Sequence, residues 1–187
     1  LLDALALSSR YAERAAQVRL PEKGRYFVFV VHRQENLANK ATLARFLDEM
    51  LRAAEKLPCV FVLHEPTRAA LIQFDLLQRV TDCPNVQTVE RMEYFHFMEL
   101  LAGSVYVITD GGSNQEELSY MGKPCLLLRK KTERSDGLGE NAILYRGDPA
   151  LIGWMSEHYS ELERPAVKTT VSPSAIIADT LEELRRA

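Results

Sequence analysis

The sequence predicts an α/β protein with a doubly wound, Rossmann-like parallel sheet flanked by helices. Strand-like and helical segments alternate five times with short connections, which is typical of parallel sheets. The runs 26–31 and 59–63 are almost wholly apolar, as expected of strands that helices cover on both faces. In such sheets ligands bind beyond the carboxyl ends of the strands. The polar residues that follow each predicted strand are therefore the candidates for a site.

Each element follows from periodicity and from helix-breaking or helix-opening residues. Pro21 and Gly24 end the first helix, Pro66 suits the first turn of a later one, and the Gly122-Lys123-Pro124 break precedes another strand. An extended segment is predicted over 165–173. The predicted helices cover 1–18, 40–57, about 66–80, 93–102, 114–121, 149–159 and 173–186. The predicted strands cover 26–31, 59–64, 86–89, 105–109, 125–128 and 142–145.

Composition excludes several classes of protein. A length of 187 residues suits one well-cored domain and leaves no room for two large ones. The net charge of −3 argues against nucleic-acid binding. No apolar run approaches the span of a bilayer and no signal peptide is visible, so we expect no membrane contact and a cytoplasmic location. Cys59 and Cys125 lie in apolar runs and are expected to be buried free thiols, and the histidines show no metal-ligand spacing with the cysteines.

The most informative stretch is 107–117, where β-favouring residues lead through Asp110 into two glycines and a helix. A glycine pair allows a sharp turn and a close ligand, and the free amides of the first helical turn form a phosphate site. Ser113 and Glu116 fit a capping box that would start the helix at Asn114. Glu117 would then be a spare carboxylate, which suits ribose hydroxyls and repels phosphate. The alternative is a capped helix with two glutamates at its positive end.

Other residues offer weaker signals, each with a structural alternative. His32 ends a strand and can contact a phosphate or act as a general acid, although a histidine there is often a structural cap. Phe95 and Phe97 lie on an apolar helix, where core packing competes with base stacking. Five basic residues could neutralise a diphosphate or simply form a solvated loop. They are Lys123, Arg129, Lys130, Lys131 and Arg134.

Four ordered elements carry a resemblance to a known family. His32-Arg33-x-Glu35-Asn36 resembles the H-R-x-E-N element of the UDP-N-acetylglucosamine 2-epimerase family. The run 109–117 and Gly122-Lys123-Pro124 are similar to its T-D-S-G-G-x-Q-E-E and G-x-P elements, and residues 129–134 to R-x-x-T-E-R. Order and spacing agree over roughly residues 25–150, which is far more specific than a single glycine pair.

The resemblance implies a GT-B-like architecture of two Rossmann-like domains, of which this chain would be the C-terminal one. The backbone of Gly111, Gly112 and Ser113 and the side chain of Arg134 would then bind a diphosphate. Glu117 would take the ribose hydroxyls, and Phe97 would lie near the uracil. The resemblance implies no cofactor and no metal.

By the same resemblance, His32 would contact the phosphate region and assist departure of UDP. The reaction implied is elimination of UDP with loss of the C2 proton, followed by re-addition to give UDP-N-acetylmannosamine. Arg33 and His64 would contact a second, activating UDP-sugar. The carboxylates that move protons would belong to an N-terminal domain, so this chain alone should bind without turnover.

The chain also departs from the family pattern. Gly111 replaces the serine of S-G-G, Ser113 replaces its second glycine, and Ser135-Asp136 stands where Pro-Glu is usual. A hydrolysing epimerase that releases N-acetylmannosamine and UDP, a UDP-sugar glycosyltransferase of the same architecture, and a non-catalytic nucleotide-responsive module therefore remain alternatives.

The domain organisation follows from the same comparison. The chain begins Leu1-Leu2-Asp3 without a methionine, so we expect a piece of a longer polypeptide. Residues 1–20 would be an interdomain connection, 21–172 the UDP-binding domain, and 173–187 a helix that packs toward the missing N-terminal domain. The expected partners are a UDP-sugar and that missing domain, and the resemblance leaves a homodimer open.

Overall fold

The computed structural model describes residues 1–11, 21–168 and 171–186, and its core is one parallel sheet. Six strands are hydrogen-bonded in the order β3-β2-β1-β4-β5-β6, so the predicted doubly wound fold is confirmed. The strands are β1 (Phe27–Val30), β2 (Cys59–Leu63), β3 (Val86–Glu90), β4 (Val107–Thr109), β5 (Cys125–Leu127) and β6 (Ala142–Leu144).

Helices flank the sheet, and most begin or end within a few residues of the predicted positions. They are α1 (Leu2–Tyr11), α2 (Gln34–Leu37), α3 (Lys40–Ala54), α4 (Glu65–Gln73), α5 (Leu77–Thr81), α6 (Tyr94–Gly103), α7 (Gly112–Met121), α8 (Ala150–His158) and α9 (Pro173–Arg186), with a 3-10 turn at Tyr159–Leu162. The part of the first predicted helix beyond residue 11 lies outside the described residues.

Both faces of the sheet are covered, which explains why the strands are apolar at successive positions. Phe27 and Phe29 of β1 belong to one buried cluster, with side chains from α3 and α8. Val28 and Val30 belong to the other, with side chains from α6 and α7. Cys59 and Cys125 are buried free thiols, as predicted. No helix in the described ranges is long and apolar enough to cross a membrane.

The strand order creates a crevice between β1 and β4. The chain builds the sheet outward through β2 and β3, then returns to place β4 on the other side of β1. Val30 pairs with Thr109, so the turns after these two strands lie at the same edge of the sheet. Such a reversal of strand order is the usual place for a ligand in a doubly wound sheet.

Two predictions of helix boundaries are wrong. The helix expected over about 66–80 is two helices, because Asp75 has a left-handed φ of 59° that ends α4 before α5 begins. The helix expected at 114–121 begins at Gly112. At its other end Gly122 has a φ of 65°, and a Cβ there would collide with the backbone carbonyl of Arg164, so the chain needs glycine at this position.

Candidate functional site

A cleft of about 560 Å³ lies at the crevice between β1 and β4. All nine residues that the sequence analysis assigned to catalysis, UDP binding or a second site line this cleft. They come from the turns after β1, β2 and β4, from α6 and α7, and from the loop after β5. The fold therefore brings together residues that lie far apart in the sequence.

Asp110 ties the two central turns together. Its side chain is fully buried, and its carboxylate accepts the backbone N–H of His32 (3.1 Å) and of Arg33 (2.9 Å) and the side-chain amide of Asn36 (2.9 Å). Arg33 Nε also donates to the Asp110 carbonyl (2.7 Å). A buried carboxylate needs such donors to offset its lost hydration. The turn after β1 is thus held against the end of β4.

Two histidines stack beside this junction. The His32 and His64 rings have centroids 4.9 Å apart and planes 14° apart. His32 Nδ1 lies 3.1 Å from Asp110 Oδ1, although the two atoms are not aligned for a hydrogen bond. Burial, together with the nearby His32 and Arg91, lowers the pKa of His64. His64 is therefore neutral at pH 7, and an arriving anion would favour its protonation.

The predicted capping box at the start of α7 is wrong. Gly111 is the N-cap residue and no side chain caps the helix. Glu116 instead pairs with the Arg134 guanidinium and accepts a hydrogen bond from the Tyr120 hydroxyl (3.1 Å). A charge-assisted pair with arginine is stronger than a bond to a neutral amide, which favours this arrangement.

The backbone amides at the start of α7 divide into two groups. Gly111 N–H donates to the Thr109 hydroxyl (3.0 Å) and is therefore not free for a phosphate in this structure. Within the described ranges, the amides of Gly112, Ser113 and Asn114 have no hydrogen-bond partner in the protein. Free amides in the first turn of a helix are suited to bind an anion.

The predicted set of five cations does not assemble. Only Arg134 among the five lines the cleft. Lys123 precedes β5 and therefore lies at the opposite edge of the sheet. There its Nζ donates to the backbone carbonyl of Ser104, the residue that follows α6 (2.6 Å). Lys130 and Lys131 are exposed, and Arg129 pairs with a neighbouring glutamate. These five residues are close in sequence, but four of their charges lie outside the cleft.

Glu117 is a buried carboxylate at the wall of the cleft. It is only 2% exposed, and Asn114 Nδ2 donates to its Oε2 (3.2 Å). Burial raises the pKa of Glu117, while Asn114 and Tyr94 partly oppose this shift. Burial and the Glu117 charge in turn raise the pKa of Tyr94 to about 12. The Glu117 carboxylate can therefore accept hydrogen bonds from neutral hydroxyls. Its charge and its burial both disfavour a second anion beside it.

Sequence reasoning missed the role of Gln115. Its Nε2 donates to the carbonyls of Arg134 (3.1 Å) and Asp136 (2.9 Å), and its Oε1 accepts the Thr132 hydroxyl (2.8 Å). Every bond of this buried amide thus holds the loop after β5 against α7. The presence of both Q-E-E and T-E-R in one sequence was the signal that could have indicated this contact.

Arg91 and Tyr94 were also missed as individual residues. Both line the cleft from the segment after β3, which the sequence analysis identified only as a strand end. No group of histidines, cysteines and carboxylates in the described part of the chain could hold a metal ion. A doubly wound sheet with free helix amides and arginines at its crevice defines the class of protein that binds phosphorylated nucleotide ligands.

Comparison with known proteins narrows this class to a family. The sequence pattern described as UDP-N-acetylglucosamine 2-epimerase matches residues 1–152. A UDP-N-acetylglucosamine 2-epimerase of Methanococcus maripaludis is 28% identical over 160 residues, which are 81% of this chain and 44% of that protein. This chain belongs to the UDP-N-acetylglucosamine 2-epimerase family, and it spans about half the length of the relatives it matches.

Solved structures agree with the sequence match. The UDP-GlcNAc 2-epimerase of Methanocaldococcus jannaschii in complex with UDP-GlcNAc and UDP is similar with a TM-score of 0.79 and 25% identity. The match covers 87% of this chain and 47% of that one. The Neisseria meningitidis enzyme bound to UDP-GlcNAc gives a TM-score of 0.74 at 25% identity, covering 97% and 53% of the two chains.

Replacing the buried carboxylate with an amide should stabilise the protein. Because the pKa of Glu117 is raised, the folded state binds the proton more tightly than the unfolded state, and stability falls as pH rises through the raised pKa. Glu117→Gln does not ionise, so at pH 7 we expect a midpoint of thermal unfolding a few degrees higher, as about 1 kcal/mol produces in a domain of this size.

The control is Glu133→Gln on the same cleft. Arg129 lowers the pKa of Glu133, so the sign reverses and this variant should not gain stability. Melting curves recorded at pH 7 and again below pH 4.5 measure both effects. An unchanged or lower midpoint for Glu117→Gln at pH 7 would contradict the prediction, as would a gain that does not shrink in acid.

Proposed function

We propose that this chain is the UDP-binding part of an enzyme that interconverts UDP-N-acetylglucosamine and UDP-N-acetylmannosamine. One observation carries the proposal: free helix amides, an arginine and a buried carboxylate share one cleft in a member of the epimerase family. This combination suits a ligand that joins a diphosphate to neutral hydroxyls, as UDP does.

The ligand would lie along the first turn of α7. Its diphosphate would receive the amides of Gly112 and Ser113 and the guanidinium of Arg134. Arg134 Nε is buried, has no partner in the described structure and lies against Gly112, which supports this placement. The carboxylate of Glu117 would accept the ribose hydroxyls, and Phe97 would contact the uracil. The Gly111 amide would not take part, because it donates to the Thr109 hydroxyl.

His32 would serve the departure of UDP. In the proposed reaction a base removes the C2 proton and the C1–O bond to UDP breaks, which leaves a glycal beside UDP. Re-addition of UDP at C1, with a proton delivered to the other face of C2, gives the epimer. The His32 side chain is 35% exposed and lines the cleft, so its ring N–H can donate to the leaving phosphate. The carboxylates that move the C2 proton would lie outside this chain.

The binding mode predicts how single substitutions change affinity for UDP. Isothermal titration of UDP into the chain should give an affinity at least about tenfold weaker for Glu117→Gln and for Arg134→Ala, because each loses charge-assisted hydrogen bonds. Lys131→Ala, at an exposed residue outside the cleft, should bind as the wild type does. Amide NMR signals should shift at 112–117 and 134. A folded sample with no shifts at these positions would refute the proposal.

Products decide between the proposed reaction and its alternatives. Chromatography of the longer protein incubated with UDP-N-acetylglucosamine alone should show UDP-N-acetylmannosamine. Free N-acetylmannosamine with UDP would indicate the hydrolysing reaction, and an unchanged sugar that needs an acceptor would indicate a glycosyltransferase. No conversion despite UDP binding would favour the nucleotide-responsive module.

The same assay tests a second UDP-sugar site at Arg33 and His64. Both residues line the cleft. The Asp110 carbonyl accepts from Arg33 Nε and not from the two terminal nitrogens of the guanidinium. A sigmoidal dependence of rate on substrate concentration, lost in His64→Ala, is expected. A hyperbolic curve in both proteins would exclude an activating second site.

We also propose that α9 packs against the part of the longer protein outside this chain. Its residues Ile176, Ile177, Leu181 and Leu184 are 55–69% exposed, so an apolar face has no cover from the described residues. Backbone amides of α9 should exchange hydrogen more slowly in the longer protein than in this chain, with β1 as an unaffected reference. Equal exchange of α9 in both proteins would contradict the packing.

A further inference from the structure

A chain of hydrogen bonds runs from the turn after β4 to the carboxylate of Glu117. Gly111 N–H donates to Thr109 Oγ1 (3.0 Å), and the Thr109 hydroxyl donates to Asn114 Oδ1 (2.9 Å). Asn114 Nδ2 then donates to Glu117 Oε2 (3.2 Å). The threonine has a single hydroxyl proton, and giving it to Asn114 makes the amide oxygen the acceptor. The Asn114 amide nitrogen must therefore face Glu117.

This arrangement leaves one half of the carboxylate for a ligand. Asn114 engages Oε2 of Glu117, no described hydrogen bond reaches Oε1, and the Tyr94 hydroxyl lies close enough to the carboxylate to lower its pKa. Glu117 is buried on α7, where the Asn114 bond and the nearby Tyr94 hydroxyl restrict its side chain. The Asn114 bond also favours the ionised form of the carboxylate, which is the form that accepts hydroxyl protons.

The same asparagine explains why residue 111 is glycine. A Cβ on Gly111 would lie 2.5 Å from Asn114 Oδ1 and 3.4 Å from His32 Cε1. The backbone there has φ −81° and ψ 124°, which any residue adopts, so conformation does not require glycine. The obstacle is the Asn114 side chain. A larger residue at 111 would push the amide away from Thr109 and Glu117.

We propose that Asn114 is the positioning residue that aims Glu117 at ribose hydroxyls, and that it acts as a coupled pair with Gly111. The departure from the family's serine at 111 is then the counterpart of the asparagine at 114. This inference rests on the proposed binding of UDP and deepens it, because it assigns recognition of the sugar hydroxyls to a four-residue network.

The test compares UDP with 2′,3′-dideoxy-UDP, which lacks the hydroxyls, by isothermal titration into the chain. The wild type should prefer UDP. Asn114→Ala should bind UDP about tenfold more weakly, as expected for one lost bond to a charged group, and bind the dideoxy compound unchanged. Asn114→Asp keeps the size and the Thr109 acceptor but replaces the donor with a second carboxylate beside Glu117, so it should bind UDP more weakly than Asn114→Ala does. Melting curves check that both variants are folded.

Gly111→Ala tests the coupling. Alone it should weaken UDP binding as Asn114→Ala does, and in the Asn114→Ala background it should have no further effect, because the group it displaces is already gone. Additive losses would overturn the coupling. An Asn114→Ala protein that keeps the full preference for UDP, while Glu117→Gln loses it, would overturn the positioning role and leave the proposed function intact. Equal affinity of the wild type for both nucleotides would remove the ribose site and the inference with it.

Discussion

The buried carboxylate of Asp110 is the interaction on which the site depends. It accepts hydrogen bonds from the backbone of His32 and Arg33 and from the side chain of Asn36, which in turn donates to the carbonyl of Leu128 (3.0 Å). The ends of β1, β4 and β5 are thereby joined at the carboxyl edge of the sheet, where the strand order reverses. A charge in this position needs several donors, and the turn after β1 supplies them by closing over the end of β4.

That closure determines what the first turn of α7 can do. The helix starts without a side-chain cap, so three of its amides are left for a ligand. Gln115 brings the loop after β5 to the same place, and the pair between Glu116 and Arg134 keeps a guanidinium there. Glu117 remains buried as an acceptor, at a cost in stability that its raised pKa reveals. The proposed role of Glu117 and the stability of the fold therefore oppose each other, as is common at binding sites.

The fold and the membership of the site were predictable because both follow from local pattern. Strands that are apolar on both faces, and polar residues at each strand end, place the cleft before any coordinate is known. The partner of each polar group was less predictable. The capping box at Ser113 and Glu116 was wrong because Arg134 competes for the glutamate, and the set of five cations was wrong because Lys123 lies at the other edge of the sheet. Asp75 divided a helix that periodicity alone predicted as continuous.

The sequence by itself determined the doubly wound sheet, the family and nine of the residues that line the cleft, since periodicity and ordered motifs are properties of the chain read along its length. Only the tertiary structure decided which donor meets which acceptor. In that structure the Gly111 amide donates to Thr109 and the Asn114 side-chain amide donates to Glu117. The Glu116 carboxylate pairs with Arg134. These choices depend on distance and direction between groups that the fold brings together, and a sequence motif contains neither.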